Sequence, residues 1–165
     1  MSSGGDLMIL FNASKQESLN YSFCLKDSDF QYIMDESLGI NDECIDFWWD
    51  KVQQLSPECQ ESEEGVIFIC PSAMYMVNTT DNLENLGEIL ADLNLHRKGL
   101  ILMPVNDYLS NTASGTARGT HWSLLCYIRT QNQFRLYDSL GRHNQEAAYL
   151  AYARLSPIIN ASGGN

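Results

Sequence analysis

Basic residues are scarce in this sequence. The 165 residues include 10 lysines and arginines against 21 aspartates and glutamates, and the formal net charge at pH 7 is −11. A general nucleic-acid or anionic-membrane binder needs clustered lysine and arginine to contact phosphate. The charge therefore argues against both kinds of partner. An acidic surface suits a basic protein partner, and it also serves plain solubility.

Cysteine pairs and long apolar runs are missing as well. The five cysteines are an odd number without a Cys-x-x-Cys pair, and they stand at positions 24, 44, 59, 70 and 126. That pattern does not fit a complete disulfide framework. Neither His96 nor His143 has a cysteine at zinc-ligand spacing, and we therefore expect no metal site. No apolar run reaches membrane-spanning length, and residues 7–11 lack the basic flank of a signal peptide. We expect an intracellular protein of the cytoplasm, the nucleus or both.

The remaining composition is that of one folded domain. Hydrophobic residues make up 44% and charged residues 19% of the chain, which is typical of a globular protein with a real core. We predict a loose N-terminal arm over residues 1–21, a domain over 22–158 and a flexible tail over 159–165. Helix, strand, helix, strand, hairpin and helix follow in that order, which is typical of an α+β domain with a small mixed sheet.

Local signals place the individual elements. Buried strands are predicted at residues 66–70 and 100–105. Helices are predicted to start at Asn41, at Pro71, at Asp81 with Glu84 in a capping box, and at Asn144 with a stop at Pro157. The first of these helices carries a face that we predict to be core, formed by Ile45, Trp48, Trp49, Val52 and Leu55. Residues 56–65 read as an acidic solvated loop, and the long loop 106–120 as a functional one.

A predicted hairpin carries the most informative residues of the chain. Residues 121–128 are apolar strand formers and residues 133–138 alternate polar with apolar, with a four-residue polar loop between them. If Ile128 faces Gln133, His121 and Asp138 become diagonal neighbours on one face of the hairpin. A three- or five-residue loop would reverse that parity.

This pairing has two interpretations. In a catalytic triad, Asp138 would fix the tautomer of His121 and stabilise its imidazolium, while His121 would deprotonate a nucleophile. The alternative is a surface hairpin that happens to carry a histidine and an aspartate. Cys126 is an odd number of residues from His121, so it points to the opposite face and is predicted to be core.

The motifs resemble a known family. Gly-Thr-His-Trp-Ser-Leu-Leu at 119–125, followed by Tyr-Asp-Ser-Leu at 137–140, resembles the signature of the ubiquitin-like-protein-specific cysteine proteases (the sentrin/SUMO-type proteases), and most of all their deneddylase branch. Segments 40–42, 66–72 and 100–107 are similar to earlier elements of that branch. The match covers roughly residues 22–158.

The resemblance implies a fold, an activity and roles for residues. The fold would be the papain-like one of this family, here C-terminally truncated. His121 would be the triad base and Asp138 its orienting partner, and Trp122 would clamp the Gly-Gly tail of a ubiquitin-like modifier. Asn41 and Asp42 would lie near the site, with Asp42 contacting the modifier. Family members cleave the modifier's C-terminal extension or its isopeptide bond without metal or organic cofactor. The neddylation modifier is favoured, with SUMO and ubiquitin as alternatives.

The chain departs from the family pattern in two ways. The Asp-Cys-Gly segment with the nucleophile, and the oxyanion-hole glutamine before it, are not found after Asp138, and the family's tail-covering Trp is Gly39 here. We therefore expect a protease by family, and we expect the 165-residue chain to be inactive because the nucleophile is missing. The expected cause is that the sequence is a fragment or that its last exon is mispredicted. The alternative is a non-catalytic module that binds a ubiquitin-like protein. Catalysis by Cys44 at a helix N-terminus is a third reading, opposed by Asp42 and Glu43, which raise the pKa of a nearby thiol.

Overall fold

A four-stranded mixed sheet organises the chain. The computed structural model describes residues 25–35, 38–56, 65–80, 82–108 and 119–161. Its helices are α1 (Asp27–Met34), α2 (Asp42–Leu55), α3 (Pro71–Thr79), α4 (Leu83–Leu90) and α5 (Gln145–Ile159), and its strands are β1 (Val66–Phe68), β2 (Leu100–Asn106), β3 (Trp122–Ile128) and β4 (Gln133–Tyr137). Short 3₁₀ turns cover Ala91–Leu93, Leu95–Arg97 and Arg129–Gln131.

The strand order is β1-β2-β3-β4. β1 pairs with β2 in parallel, and β2–β3 and β3–β4 are antiparallel. A parallel pair needs a long crossover, and α3 and α4 supply it between β1 and β2. The predicted α+β class with a small mixed sheet is therefore confirmed. None of the described helices is long and apolar enough to span a bilayer.

The core lies on one face of the sheet. Side chains alternate along a strand, so every second residue of β2 and β3 points to this face. Helices α3 and α5 pack against it. The fully buried members from strands and helices include Ile101, Met103, Val105, Tyr127, Val77, Ala151, Leu155 and Ile159. The helical layer thus fixes which face of the sheet is interior.

The β3–β4 hairpin has the register that its sequence predicts. Ile128 pairs with Gln133, and the ladder continues to Leu124 opposite Tyr137. Asn132 takes the left-handed conformation that closes the turn, with φ 45°. Arg129 donates to the carbonyl oxygens of Lys98 and Leu95 at 2.7 and 2.8 Å, which anchors the turn to the preceding connection.

Two helix boundaries differ from the prediction. The cap of α4 is Asn82, whose Oδ1 accepts the backbone N–H groups of Glu84 and Asn85, while Asp81 lies outside the described residues. Pro157 does not stop α5, which continues to Ile159. A proline removes its own N–H from the helical ladder and crowds the carbonyl four residues earlier, but the last turn still closes, with the Asn160 N–H donating to the Ser156 carbonyl at 3.0 Å. Ile159, predicted to begin the tail, is fully buried.

The predicted core face of α2 is largely exposed. Trp48 is 59% and Leu55 81% exposed, and Val52 is exposed too. The one fully buried residue of α2 is Cys44 in its first turn, where the thiol approaches the Asp29 carbonyl of α1. Trp49 retains a tilted contact with Phe68. The predicted helix is present, but only its first turn is buried against the rest of the domain. The apolar face continues beyond that turn and is exposed there. Similarly, the strand predicted at 66–70 is half-buried over its paired residues.

Four predicted regions lie wholly or mainly outside the described residues. They are the N-terminal arm 1–21, the acidic loop, of which 57–64 is not described, the long loop, of which 109–118 is not described, and the tail 159–165, of which 162–165 is not described.

Asn82→Ala is expected to destabilise the chain by about 1 kcal/mol, because the first turn of α4 loses an acceptor for two backbone N–H groups. The measurement is the free energy of unfolding by urea titration. Asn85→Ala, an exposed change inside the same helix, is the matched control and should be neutral or slightly stabilising. Equal losses in both variants would contradict the capping role.

Candidate active site

The structure brings His121 and Asp138 into contact. His121 directly precedes β3 and Asp138 directly follows β4, so the hairpin places both at the same sheet edge. The His121 Nε2 lies 2.7 Å from the Asp138 Oδ1. The histidine side chain is 13% exposed and the aspartate side chain 1%. The pair is therefore shielded, with only the histidine reaching the surface.

The Asp138 carboxylate is held as an anion. The Asn144 backbone N–H donates to Oδ2, and the Leu140 N–H donates to Oδ1, both at 2.9 Å. The pKa of Asp138 falls to about 2, chiefly through the Asn144 N–H, with burial opposing and His121 and Leu140 adding to the fall. An ionised carboxylate only accepts hydrogen bonds, so Nε2 of His121 must donate. In the neutral imidazole, Nδ1 then keeps its lone pair and can act as a base.

A second carboxylate, Asp107, holds the chain just before β3. It accepts the Thr120 N–H at 2.5 Å, the Thr120 hydroxyl at 2.6 Å and the His121 N–H at 3.0 Å. Burial raises the pKa of Asp107, but the hydrogen bonds from Thr120, His121 and His143 outweigh it and the result is about 2. Asp107 thus fixes the backbone of the candidate base.

His143 stands beside this arrangement. Its Nε2 lies 3.3 Å from the Asp107 Oδ2, and its ring meets the His121 ring edge-to-face, with centroids 5.3 Å apart. Asn144, the next residue, is buried. Its NH₂ group shares two N–H donors among three acceptors, the carbonyl oxygens of Val105 and His121 and the Ser123 hydroxyl, which lie 2.9, 3.1 and 3.0 Å from Nδ2.

Asn41, Asp42 and Trp122 line one groove of about 560 Å³, together with Gly39, Tyr75, Asn106 and Gly119. The Trp122 indole N–H donates to the Ile40 carbonyl at 2.8 Å, which ties the start of β3 to the segment before α2. The residues expected near the site from the family resemblance are therefore neighbours in space.

Asn41 and Asp42 differ in how free their side chains are. Asn41 caps α2 by accepting the Cys44 N–H at 3.0 Å, as predicted, and donates to the Asp29 carboxylate at 3.1 Å. Asp42 is exposed in the first helical turn. Burial, followed by the charges of Asp42 and Glu43, raises the pKa of Asp46 to about 6. This end of the groove is acidic, and the exposed Asp42 also shares a side-chain hydrogen bond with Glu43, which raises the pKa of Glu43.

Gly39 forms an open part of the groove. Its φ is +61°, a left-handed conformation that favours glycine. A Cβ placed there meets no atom within 4 Å. A larger residue at this position would have room but a strained backbone.

No cysteine hydrogen-bonds to His121 within the described part of the chain. Cys44 is 1% exposed, and burial, the largest cause, raises its thiol pKa. Cys126 is buried as predicted, burial raises its pKa, and it alternates with the core-facing Tyr127. Cys70 lies 3.2 Å from the Ser72 hydroxyl. The buried environments of Cys44 and Cys126 therefore do not activate their thiols. Among the described residues there is also no cluster of three or more histidine, cysteine or acidic side chains that could hold a metal.

Two residues of the site were not found from the sequence, Asp107 and the side chain of Asn144. A signal for Asp107 was present, because β2 and β4 are both antiparallel to β3 and so end at one sheet edge. An acidic residue after each of these strands could have been placed there. Asn144 was recognised only as a helix start.

Comparison with known proteins adds a relationship. The chain is 30% identical over 139 residues to sentrin-specific protease 8 of Homo sapiens, covering 84% of this chain and 62% of that protein. It is 28% identical over 136 residues to NEDD8-specific protease 1 of Arabidopsis thaliana, covering 82% and 57%. A probable sentrin-specific protease 8 of Dictyostelium discoideum is 24% identical over 132 residues, covering 78% and 53%. No protein-family model matches the chain.

The chain is a relative of the ubiquitin-like-protein-specific proteases. The resemblance read from the motifs is thereby confirmed. The chain spans about three fifths of the length of its sentrin-specific relative from Homo sapiens.

In this protease relative, Asp107→Asn is expected to lower the free energy of unfolding by about 2 kcal/mol at neutral pH. The expected loss follows from the pKa of Asp107, which falls from an ordinary 3.8 to about 2 in the folded chain. A depressed pKa stabilises the fold above about pH 4, and this contribution disappears as the pH falls from about 4 to 2. The measurement is the difference in unfolding free energy between the parent and the variant at several pH values. Asp92→Asn, an exposed change, is the control. A difference that stays constant down to pH 2 would refute the assignment.

Proposed function

We propose that the chain is the base-bearing part of a cysteine-type peptidase of the ubiquitin-like protease family, with the papain-like fold of that family. It would process or remove a ubiquitin-like modifier at its Gly-Gly tail. The observation that carries this proposal is the His121–Asp138 hydrogen bond, which leaves Nδ1 of a shielded imidazole free as a base. The neddylation modifier is the favoured substrate, supported by the motif resemblance and by the relative named a NEDD8-specific protease.

In this proposal the reaction is acyl transfer through a thioester. The Nδ1 of His121 takes the proton of a cysteine thiol, and the thiolate attacks the carbonyl carbon of the modifier's last glycine. Asp138 stabilises the imidazolium, which then gives the proton to the departing amine. Water, deprotonated by the same imidazole, hydrolyses the thioester. The nucleophile is assigned to a segment that is not among these 165 residues, as the family pattern implies.

The groove is the proposed seat of the modifier tail. Trp122 lines it immediately beside His121 in the sequence, and its indole is fixed by the Ile40 carbonyl. A rigid aromatic wall suits a Gly-Gly segment, which has no side chains and packs through its backbone. The exposed Asp42 adds negative charge to the groove and would attract a basic residue of the modifier.

A non-catalytic module that binds a ubiquitin-like protein is the second candidate. Gly39 favours it, because the groove is open where the family has a tryptophan. The absence of a hydrogen bond between His121 and any cysteine within the described ranges is also compatible with it. Both candidates use the same groove and differ in whether a thiol ever reaches His121.

Binding tests the groove independently of catalysis. The purified 165-residue chain is expected to bind a ubiquitin-like modifier, measured by calorimetry with the neddylation modifier, SUMO and ubiquitin in parallel. Trp122→Ala should weaken binding by about tenfold or more, because an aromatic contact at an interface centre is removed. Trp48→Ala, on the exposed face of α2, is the matched control and should bind like the parent. Unchanged affinity in Trp122→Ala would remove the groove from the proposal.

Hydrolysis tests the catalytic assignment. The 165-residue chain should not hydrolyse a modifier fused to a C-terminal reporter, since a base and its orienting carboxylate cannot replace a nucleophile. If the transcript continues beyond codon 165 into a glutamine and an Asp-Cys-Gly segment, that longer protein should be active. His121→Ala and Asp138→Asn should each lower its kcat by about 10³ or more.

His96→Ala, a histidine in the 3₁₀ turn at Leu95–Arg97, is the control for the hydrolysis experiment. Turnover by the 165-residue chain that is lost in His121→Ala would place the nucleophile within it and contradict the proposal. Binding without turnover in a protein proven to end at Asn165 would establish the non-catalytic module instead.

A further inference from the structure

Asn144 contacts both members of the His121–Asp138 pair. We propose that it is a positioning residue, which holds the imidazole and the carboxylate in hydrogen-bonding geometry. The inference rests on the proposed function in one respect, namely that the His121–Asp138 pair has a catalytic role. The geometry on which it is built is independent of the nucleophile and of the modifier.

The backbone of Asn144 fixes the carboxylate. Its N–H donates to the Asp138 Oδ2 at 2.9 Å, while the other oxygen accepts from Leu140 N–H and His121 Nε2. Both oxygens are therefore engaged, and the plane of the carboxylate cannot turn without breaking a bond. The side chain of Asp138 is almost fully buried, so water does not compete for these positions.

The side chain of Asn144 holds the backbone of His121, from which the imidazole extends. Its Nδ2 donates to the His121 carbonyl at 3.1 Å and also to the Val105 carbonyl and the Ser123 hydroxyl. These acceptors belong to β2, to β3 and to the residue that precedes β3. The His121 N–H is bound by Asp107 at 3.0 Å. His121 lies just before β3, and its carbonyl also accepts the Asp107 backbone N–H at 3.3 Å, so the Asn144 bond adds to the backbone pairing there.

The orientation of the Asn144 amide follows from its partners. Turning the amide over would set its oxygen against two carbonyl oxygens, so the NH₂ group must face them. Its Oδ1 is then buried without a hydrogen-bond partner among the described residues. An unsatisfied buried oxygen opposes folding. The favourable contribution of this side chain thus lies in what its NH₂ group holds, namely the site edge of β2 and β3.

Proton NMR of the 165-residue chain tests the proposal. An imidazole N–H bonded to a buried carboxylate exchanges slowly with water, so the His121 Nε2–H is expected as a resolved low-field resonance. Asp138→Ala identifies the resonance by abolishing it. Asn144→Ala should broaden or abolish it in a chain that remains folded, because the pair loosens while the backbone N–H of residue 144 is still present.

Two controls separate positioning from general stability. Asn78→Ala removes another buried asparagine, on α3, whose Oδ1 likewise has no hydrogen-bond partner in the described ranges, and it should leave the resonance in place. Ser123→Ala removes one acceptor of the Asn144 side chain without touching His121, and should also leave it in place. Urea titration of each variant gives the accompanying loss of stability.

Each outcome decides the proposal. A resonance lost in Asn144→Ala and kept in both controls supports it. A sharp, unshifted resonance in Asn144→Ala, or an equal loss in Asn78→Ala of similar stability, overturns it. If Asn144→Ala does not fold, Asn144→Ser is used, and failure of both to fold assigns Asn144 to global stability and overturns the positioning role. No modifier or turnover enters the measurement, so failure of the proposed function would be seen separately.

Discussion

The pairing register of β3 with β4 is the constraint on which the site depends. Side chains on a strand alternate between faces, so a shift of one residue would carry His121 away from Asp138. The turn that sets the register is held by the left-handed Asn132 and by Arg129, whose guanidinium reaches the carbonyls of Lys98 and Leu95. A polar contact at one end of the hairpin therefore fixes the geometry at the other end.

Electrostatics at the sheet edge follow from the topology. β2 and β4 run in the same direction on either side of β3, so the acidic residues that follow them converge on the residue that precedes β3. The two carboxylates act on different parts of His121, Asp138 on the ring and Asp107 on the backbone N–H. Both are kept ionised by hydrogen bonds that lower their pKa to about 2. The imidazole thus has a fixed backbone and an oriented ring.

Much of this arrangement could be predicted from the sequence because it is local. The His121–Asp138 pairing needs only strand periodicity and a turn length, and the Asn41 cap needs only the order of residues at a helix start. The exposed Trp48 was wrongly predicted as core, since periodicity shows which residues share a face but not what covers that face. The contacts of Asp107 and Asn144 join segments that are distant in sequence, and no local pattern contains them.

Asp107 stands at the start of the long connection between β2 and β3, and it also binds Thr120 and His121 at the end of that connection. Because Thr120 and His121 are hydrogen-bonded to it, the path between Tyr108 and Gly119 begins and ends at one point. Insertions, deletions or substitutions along that path are consequently decoupled from the position of His121. Changes of length or sequence in this connection can therefore be accepted while the proposed catalytic pair stays in place.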